Sequence, residues 1–175
     1  ELEKFILNKS LIKNNSEIIN VKEFINDSES PLSAAKKGNS TSMWQAIDSL
    51  NNNSSQIVLS AGNTGALLIL SKMILEMIEG IDKPALAGLW PNKNGMNIVL
   101  DLGANIECNA KNLVDFSLMG SALYKSLFPE NDPKVAILNV GSEEIKGHEI
   151  IKNAYKELKI NNKYNLDFDG YIEGN

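Results

Sequence analysis

The sequence predicts an α/β protein built around a mostly parallel sheet. Three observations predict it. Short apolar runs alternate with segments of helical length along the chain. Those runs are continuous rather than alternating, as in strands covered on both faces. Three of them lead straight into loops that combine glycine with polar residues. The chain has 175 residues, with 43% hydrophobic and 22% charged residues, which suffices for one domain with a real core.

The elements follow in order. Glu1 to Leu7 reads as the end of a helix and Glu17 to Val21 as a short strand. Asp27 to Asn39 holds Pro31 and Gly38 and reads as a loop with one helical turn. Thr41 to Leu50 is a helix, with Ser40 or Thr41 as its cap. Gln56 to Ser60 is a strand and Asn63 to Ile78 a helix. Ala85 to Trp90 and Asn97 to Leu102 are strands, and Lys111 to Phe128 is a helix. Lys134 to Val140, Glu143 to Leu158 and Leu166 to Ile172 read as strand, helix and strand. The helix after Ser60 confines Lys72, Glu76 and Glu79 to one stripe, so it reads as deep core or as a subunit interface. The chain begins at Glu1 without Met and ends just after a strand-like run, so a fragment truncated at both ends is expected.

Composition excludes several chemistries. The net charge of −5 gives no basic excess to displace counterions, so nucleic acid is not expected as a partner. One cysteine, Cys108, rules out an internal disulfide and a cysteine-built zinc site. One histidine, His148, leaves little for a serine–histidine triad. No arginine occurs, so any bound anion is held by lysine, backbone N–H groups or neutral side chains. No metal site is expected. Cys108 reads as structural and His148 as surface, while Trp44 and Trp90 read as core or cleft wall.

Three loops carry the chemistry. Ser60-Ala61-Gly62-Asn63-Thr64-Gly65-Ala66 lies between a strand and a helix. Its glycines permit close backbone approach, Asn63 or Thr64 can cap the helix, and the first-turn N–H groups suit an anion. Its spacing matches neither a Walker loop nor a dinucleotide fingerprint. An ordinary tight turn would look the same. Asp101-Leu102-Gly103-Ala104-Asn105 also follows an apolar run, where Asp, Gly and Asn commonly form turns. In Asn139-Val140-Gly141-Ser142-Glu143-Glu144-Ile145-Lys146-Gly147, the two acids suit a helix start and Lys146 is the cation candidate. If the strands are parallel, all three loops leave the carboxyl edge of one sheet, where such folds bind ligands.

These loops, in this order and spacing, resemble those of the bacterial phosphate acyltransferase family PlsX. The matching stretches are S-A-G-N-T-G-A-L at 60–67, K-P-A-L at 83–86, D-L-G-A-N at 101–105, F-S-L-M-G at 116–120 and L-N-V-G-S-E-E-I-K-G at 138–147. Pro31, Thr41-Ser42-Met43 and the terminal Y-I-E-G-N match as well. The resemblance covers residues 17 to 175. It departs at Lys36 and Lys83, where the family usually has arginine, and lysine lacks the bidentate fork. The family's glycine-rich opening motif and its C-terminal half are absent from this sequence.

The resemblance implies a Rossmann-like three-layer αβα fold of the isocitrate/isopropylmalate dehydrogenase and phosphotransacylase type. It implies a single domain over 1–175 that forms part of a longer two-lobed enzyme, inactive as this piece alone. The reaction it implies moves a fatty acyl group from acyl carrier protein to inorganic phosphate, giving acyl phosphate for phospholipid synthesis. No cofactor is implied. The implied partners are acyl carrier protein, inorganic phosphate, a second copy in a homodimer and a downstream glycerol-phosphate acyltransferase. The implied setting is cytoplasmic with peripheral membrane contact. Ser60, Gly62, Asn63, Thr64 and Gly65 would bind phosphate. Lys146 would neutralise it, Asp101 would orient Lys146, and Asn105 and Asn139 would donate to the carbonyl oxygen. Lys36, Ser42, Glu143 and Glu144 are further candidate substrate contacts. Two alternatives stand beside this reading: a phosphate acetyltransferase-like enzyme using acetyl-CoA, and a non-catalytic module of the same fold that binds a partner or membrane. A dehydrogenase fits less well, because no nucleotide fingerprint or metal-binding carboxylate cluster occurs.

Overall fold

The computed structural model describes residues 6, 9–93, 95–160 and 164–174. The chain divides into two compact units, Glu1–Leu75 and Glu76–Asn175. The expected helix end at Glu1 to Leu7 lies outside the described residues apart from Ile6.

The first unit is helical. It contains α1 (Ser10–Asn14), α2 (Pro31–Lys37), a 3-10 turn (Gly38–Ser40), α3 (Ser42–Asn51) and α4 (Thr64–Leu75). The segment expected as a loop with one turn is instead α2. Its proline is the reason: Pro31 stands at the first helical position, where a missing N–H costs nothing, and Ser30 caps Ser33. Gly38 ends the helix at φ +66°. Thr41 caps α3 by accepting from the Trp44 N–H at 3.3 Å. Ile25, Ala34, Met43, Ile47, Ala66 and Leu70 form the core, with Trp44 partly buried against it.

Two expected strands do not form in this unit. Residues 17–21 are irregular, and the backbone pairing nearby is a single parallel bridge between Glu23 and Thr41. Residues 56–60 pair with no strand among the described residues, and Ile57 and Leu59 are 75% and 89% exposed. β-propensity alone does not make a strand; the ladder needs a partner. The helix after them ends at Leu75, not Ile78, because Glu76 turns to φ +61°. Nor is it deep core here, since Met73 and Leu75 are exposed and burial is complete at Ala66 and Leu70.

The second unit is α/β. It contains β1 (Gly88–Asn92), β2 (Gly95–Val99), α5 (Ala110–Leu127), β3 (Lys134–Leu138), α6 (Glu149–Ile160) and β4 (Asp167–Ile172). β3 and β4 pair in parallel, joined through α6, as a βαβ unit requires. β1 and β2 are antiparallel, from Gly88 opposite Val99 to Asn92 opposite Gly95. This corrects the parallel expectation for that region. The connection between them is only two residues long, which closes a hairpin and cannot carry a parallel crossover.

The core of this unit gathers Val114, Ile137, Ala154 and Leu158, with Tyr155, Phe168 and Tyr171 packed around them. Along β3, Ile137 faces that core, while Leu138 is 62% exposed on the opposite face. α5 starts at a reciprocal cap: Asn109 and Asn112 each accept from the other's backbone N–H, at 2.9 and 3.1 Å. α6 begins at Glu149, six residues later than expected, so Glu143 to Gly147 form a loop rather than a first helical turn. Among the described residues, no helix is long and apolar enough to cross a membrane.

Candidate functional site

The first unit holds the loop 60–66. Asn63 organises it. Its Oδ1 accepts from the Ala66 N–H at 2.9 Å and so caps α4, while its Nδ2 donates to the carbonyls of Asp27 and Glu29 at 3.0 and 3.1 Å. The Asn63 side chain therefore ties the loop 27–29 to the helix start. Ser60 Oγ accepts from the Gly62 N–H at 3.2 Å. Gly65 leaves room for Pro31: a Cβ there would lie 2.7 Å from Pro31 Cγ. Ser60, Gly62 and Thr64 are exposed, and the first N–H groups of α4 have no acceptor within the helix. Lys36 is exposed near the end of α2, and Ser42 is exposed at the start of α3. A shallow depression lined by Glu23, Phe24, Asn26, Glu29 and Lys37 also lies in this unit. It contains none of the predicted residues. Within it Lys37 pairs with Glu29 at 2.7 Å, and Glu23 accepts from the Ser40 hydroxyl at 2.6 Å.

The second unit holds the other two loops. Asp101 is the hub of its own loop. It accepts from the Leu86 N–H at 2.7 Å, from the Asn105 N–H at 2.6 Å and from Asn105 Nδ2 at 3.1 Å. Asn105 Nδ2 also donates to the Pro84 carbonyl at 2.8 Å. The sequence reading assigns Asp101 to orient Lys146 and Asn105 to meet a substrate carbonyl. The structure commits both side chains elsewhere, to fixing residues 84–86 against 101–105. The chemical reason is proximity: a carboxylate at the end of an apolar strand takes the nearest backbone donors. Cys108 is half-buried beside the Asn105 carbonyl.

The loop 141–147 is built on Asn139. This side chain is buried, and its Nδ2 donates to the carbonyls of Gly141 at 3.1 Å and Lys146 at 3.2 Å. Both amide hydrogens are thereby engaged, which leaves none for a substrate carbonyl in this arrangement. Its Oδ1 is buried without a hydrogen-bond partner. Gly147, at φ +93°, packs directly against that amide.

Lys146 pairs with Glu143 at 2.9 Å rather than with Asp101. The Glu143 carboxylate, bonded to it, is the main reason the Lys146 ammonium titrates above its ordinary range, with Glu173 adding to the field. The same bond holds Glu143 below the usual carboxylate range. Glu144 turns the other way. Its Oε1 accepts from the Tyr155 hydroxyl at 2.6 Å and from Lys159 on α6. Lys159, first, and then Tyr155 hold the Glu144 carboxyl low. Tyr155 and Lys159 are missed by sequence reading. Their four-residue spacing on a helix is the one signal for them, and it says nothing of the loop they meet. His148 is exposed just before α6, and Trp90 is exposed on β1. Among the described residues, no group of three or more His, Cys, Asp or Glu gathers to hold a metal ion.

Residues 1–175 match the family described as Fatty acid synthesis protein. The chain is 60% identical over 159 residues to the phosphate acyltransferase of Pelagibacter ubique, covering 91% of this chain and 48% of that protein. It is 43% identical over 164 residues to the phosphate acyltransferase of Bradyrhizobium diazoefficiens, covering 93% and 46%. The corresponding protein of Caulobacter vibrioides is 41% identical over 162 residues, covering 91% and 44%. The chain thus spans about half the length of the curated relatives it matches. With the match running from the first residue to the last, the chain belongs to the fatty acid synthesis protein family, the PlsX phosphate acyltransferases.

Proposed function

We propose that the whole protein to which this chain belongs transfers a long-chain fatty acyl group from acyl carrier protein to inorganic phosphate. The observation that carries the reading is the family match along all 175 residues to relatives named phosphate acyltransferase. Acyl transfer to phosphate follows from that name. The carrier protein as donor is the finer part of the proposal, as are the homodimer, the downstream glycerol-phosphate acyltransferase and the cytoplasmic, membrane-peripheral setting. The complete protein would carry the Rossmann-like three-layer fold; the parallel β3–β4 pair with its uncovered second face supports that reading.

The chemistry suits the residues. Phosphate is itself the nucleophile, so no serine, cysteine or histidine nucleophile is required. The protein's work is to bind an anion, orient it on the thioester carbonyl and stabilise the oxyanion. In this reading Ser60, Gly62, Asn63, Thr64 and Gly65 form the phosphate loop, with Asn63 holding it in shape and the α4 start supplying N–H donors. Lys146 supplies the cation. Asp101, Asn105 and Asn139 act by shaping the two loops of the second unit, since the Asp101 carboxylate and the amide hydrogens of Asn105 and Asn139 are engaged there. Lys36 and Ser42 remain exposed candidates for substrate contact.

The test is to express the complete reading frame and incubate it with palmitoyl-acyl carrier protein and phosphate, trapping product with hydroxylamine. Phosphate-dependent hydroxamate supports the reading. Product from acetyl-CoA alone moves the assignment to an acetyl enzyme, and no product from either donor favours a non-catalytic module.

A further inference from the structure

The loop 141–147 is fastened at two places. Inside, Asn139 grips the carbonyls of Gly141 and Lys146. Outside, Glu144 reaches across to α6, where Tyr155 and Lys159 both donate to its Oε1. Lys159 Nζ also donates to the Tyr155 hydroxyl at 2.9 Å, which closes a three-membered network. The tyrosine is a firm anchor: its ring packs on Tyr171 at 4.5 Å and edge-on to Phe168 at 5.5 Å, both on β4. Glu144 is thus bonded to a side chain locked into the core of the unit. Its neighbours in the loop differ. Glu143 pairs with Lys146 within the loop, and Ile145 is 82% exposed.

We propose that Glu144 is a positioning residue: through Tyr155 and Lys159 it latches the 141–147 loop onto α6, which fixes where Lys146 is presented, without itself touching substrate. This rests on the acyl-transfer reading for what Lys146 does. The latch itself is independent of it. Glu144 and Lys159 are both more than half exposed, so the pair adds little to the stability of the fold. Its consequence is geometric. A displaced cation weakens anion binding before it weakens the protein.

The test is a double-mutant cycle in the complete protein, with Glu144→Gln, Lys159→Met and both together. Each single variant should raise the phosphate KM about three- to fivefold with little change in kcat or thermal midpoint. The double variant should be no worse than either single one, and Lys159→Arg should recover most of the wild-type KM. Effects that multiply, or a KM raised by Glu144→Gln but untouched by Lys159→Met, would overturn the latch and make Glu144 a direct contact. Amide hydrogen exchange over residues 141–147 is read in parallel and needs no activity. Faster exchange in both single variants supports the latch, and unchanged exchange removes it. If the wild-type protein makes no acyl phosphate, the functional reading fails and the exchange result alone judges the latch.

Discussion

A Cβ placed on Gly147 would overlap the side-chain amide of Asn139, the same amide that holds the carbonyls of Gly141 and Lys146. The glycine and the asparagine are therefore one device. Only a residue without a side chain lets the loop fold back over the buried amide, and only that amide fills the space the glycine leaves.

Gly147→Ala is the direct test of this device. The backbone there has φ +93°, a second penalty for any side chain. The variant should destabilise the complete protein by about 1–3 kcal/mol. A denaturant midpoint equal to wild type would show that the loop has another way to close.

Gly65→Ala probes the first loop. The new methyl would meet the Pro31 ring at 2.7 Å, and a proline ring has little freedom to yield. The expected cost is about 1–3 kcal/mol, measured by chemical denaturation. Pairing it with Pro31→Ala should recover part of the loss, because the obstacle is the ring.

Asp101→Asn tests the hub of the second loop. Three donors converge on this carboxylate, and an amide can face at most one of its two ends to them as an acceptor. The variant should lose about 1–3 kcal/mol. Faster hydrogen exchange should follow at Leu86 and Asn105, and protection equal to wild type at both would refute the hub.

Lys146→Met in the complete enzyme tests the cation. Phosphate KM should rise or kcat should fall, by about tenfold or more, while the thermal midpoint stays near wild type. Unchanged kinetics would strike Lys146 from the mechanism.

The two loop carboxylates set an acid limit. Glu144 is held below its ordinary value of 4.5 by Lys159 and Tyr155, and Glu143 by Lys146. A depressed carboxylate contributes fully above its unfolded pKa, and the contribution is lost as pH falls through the folded one. Loop order should hold from neutral pH down to 4.5 and decline only below it. Lys146 and Lys159 are raised above 10.5, so their contribution is complete below that value and is lost as pH rises through the raised ones. Side-chain carboxyl titration by carbon NMR should place both glutamates below 4.5. Lys159→Met should move the Glu144 midpoint upward and leave Glu143 in place.

Much of the element order is legible in the residues. The Thr41 cap, the α3 and α5 helices, the β3 strand and β4 each lie within a few residues of their sequence-based bounds. The physical reason is that apolar periodicity and capping chemistry act locally. The misreadings occur where a local signal has two meanings. Pro31 and Gly38 punctuate a loop equally well as they open and close a helix. The run at 56–60 has strand composition but no ladder partner among the described residues, and a strand is a property of two segments.

The sequence by itself determined the chemistry available: lysine in place of any arginine, glycine loops after apolar runs, and motifs spaced as in one family. Tertiary structure alone decided what each polar group is used for. Asp101 reads as orienting Lys146, and Asn139 as donating to a substrate carbonyl, because a sequence shows which groups can bond but not which carbonyl or N–H lies nearest. Glu144 meets Tyr155 and Lys159 only because α6 starts late enough for the loop to fold back along it. Hydrogen bonds act over about 3 Å, and no spacing along a chain reveals that distance.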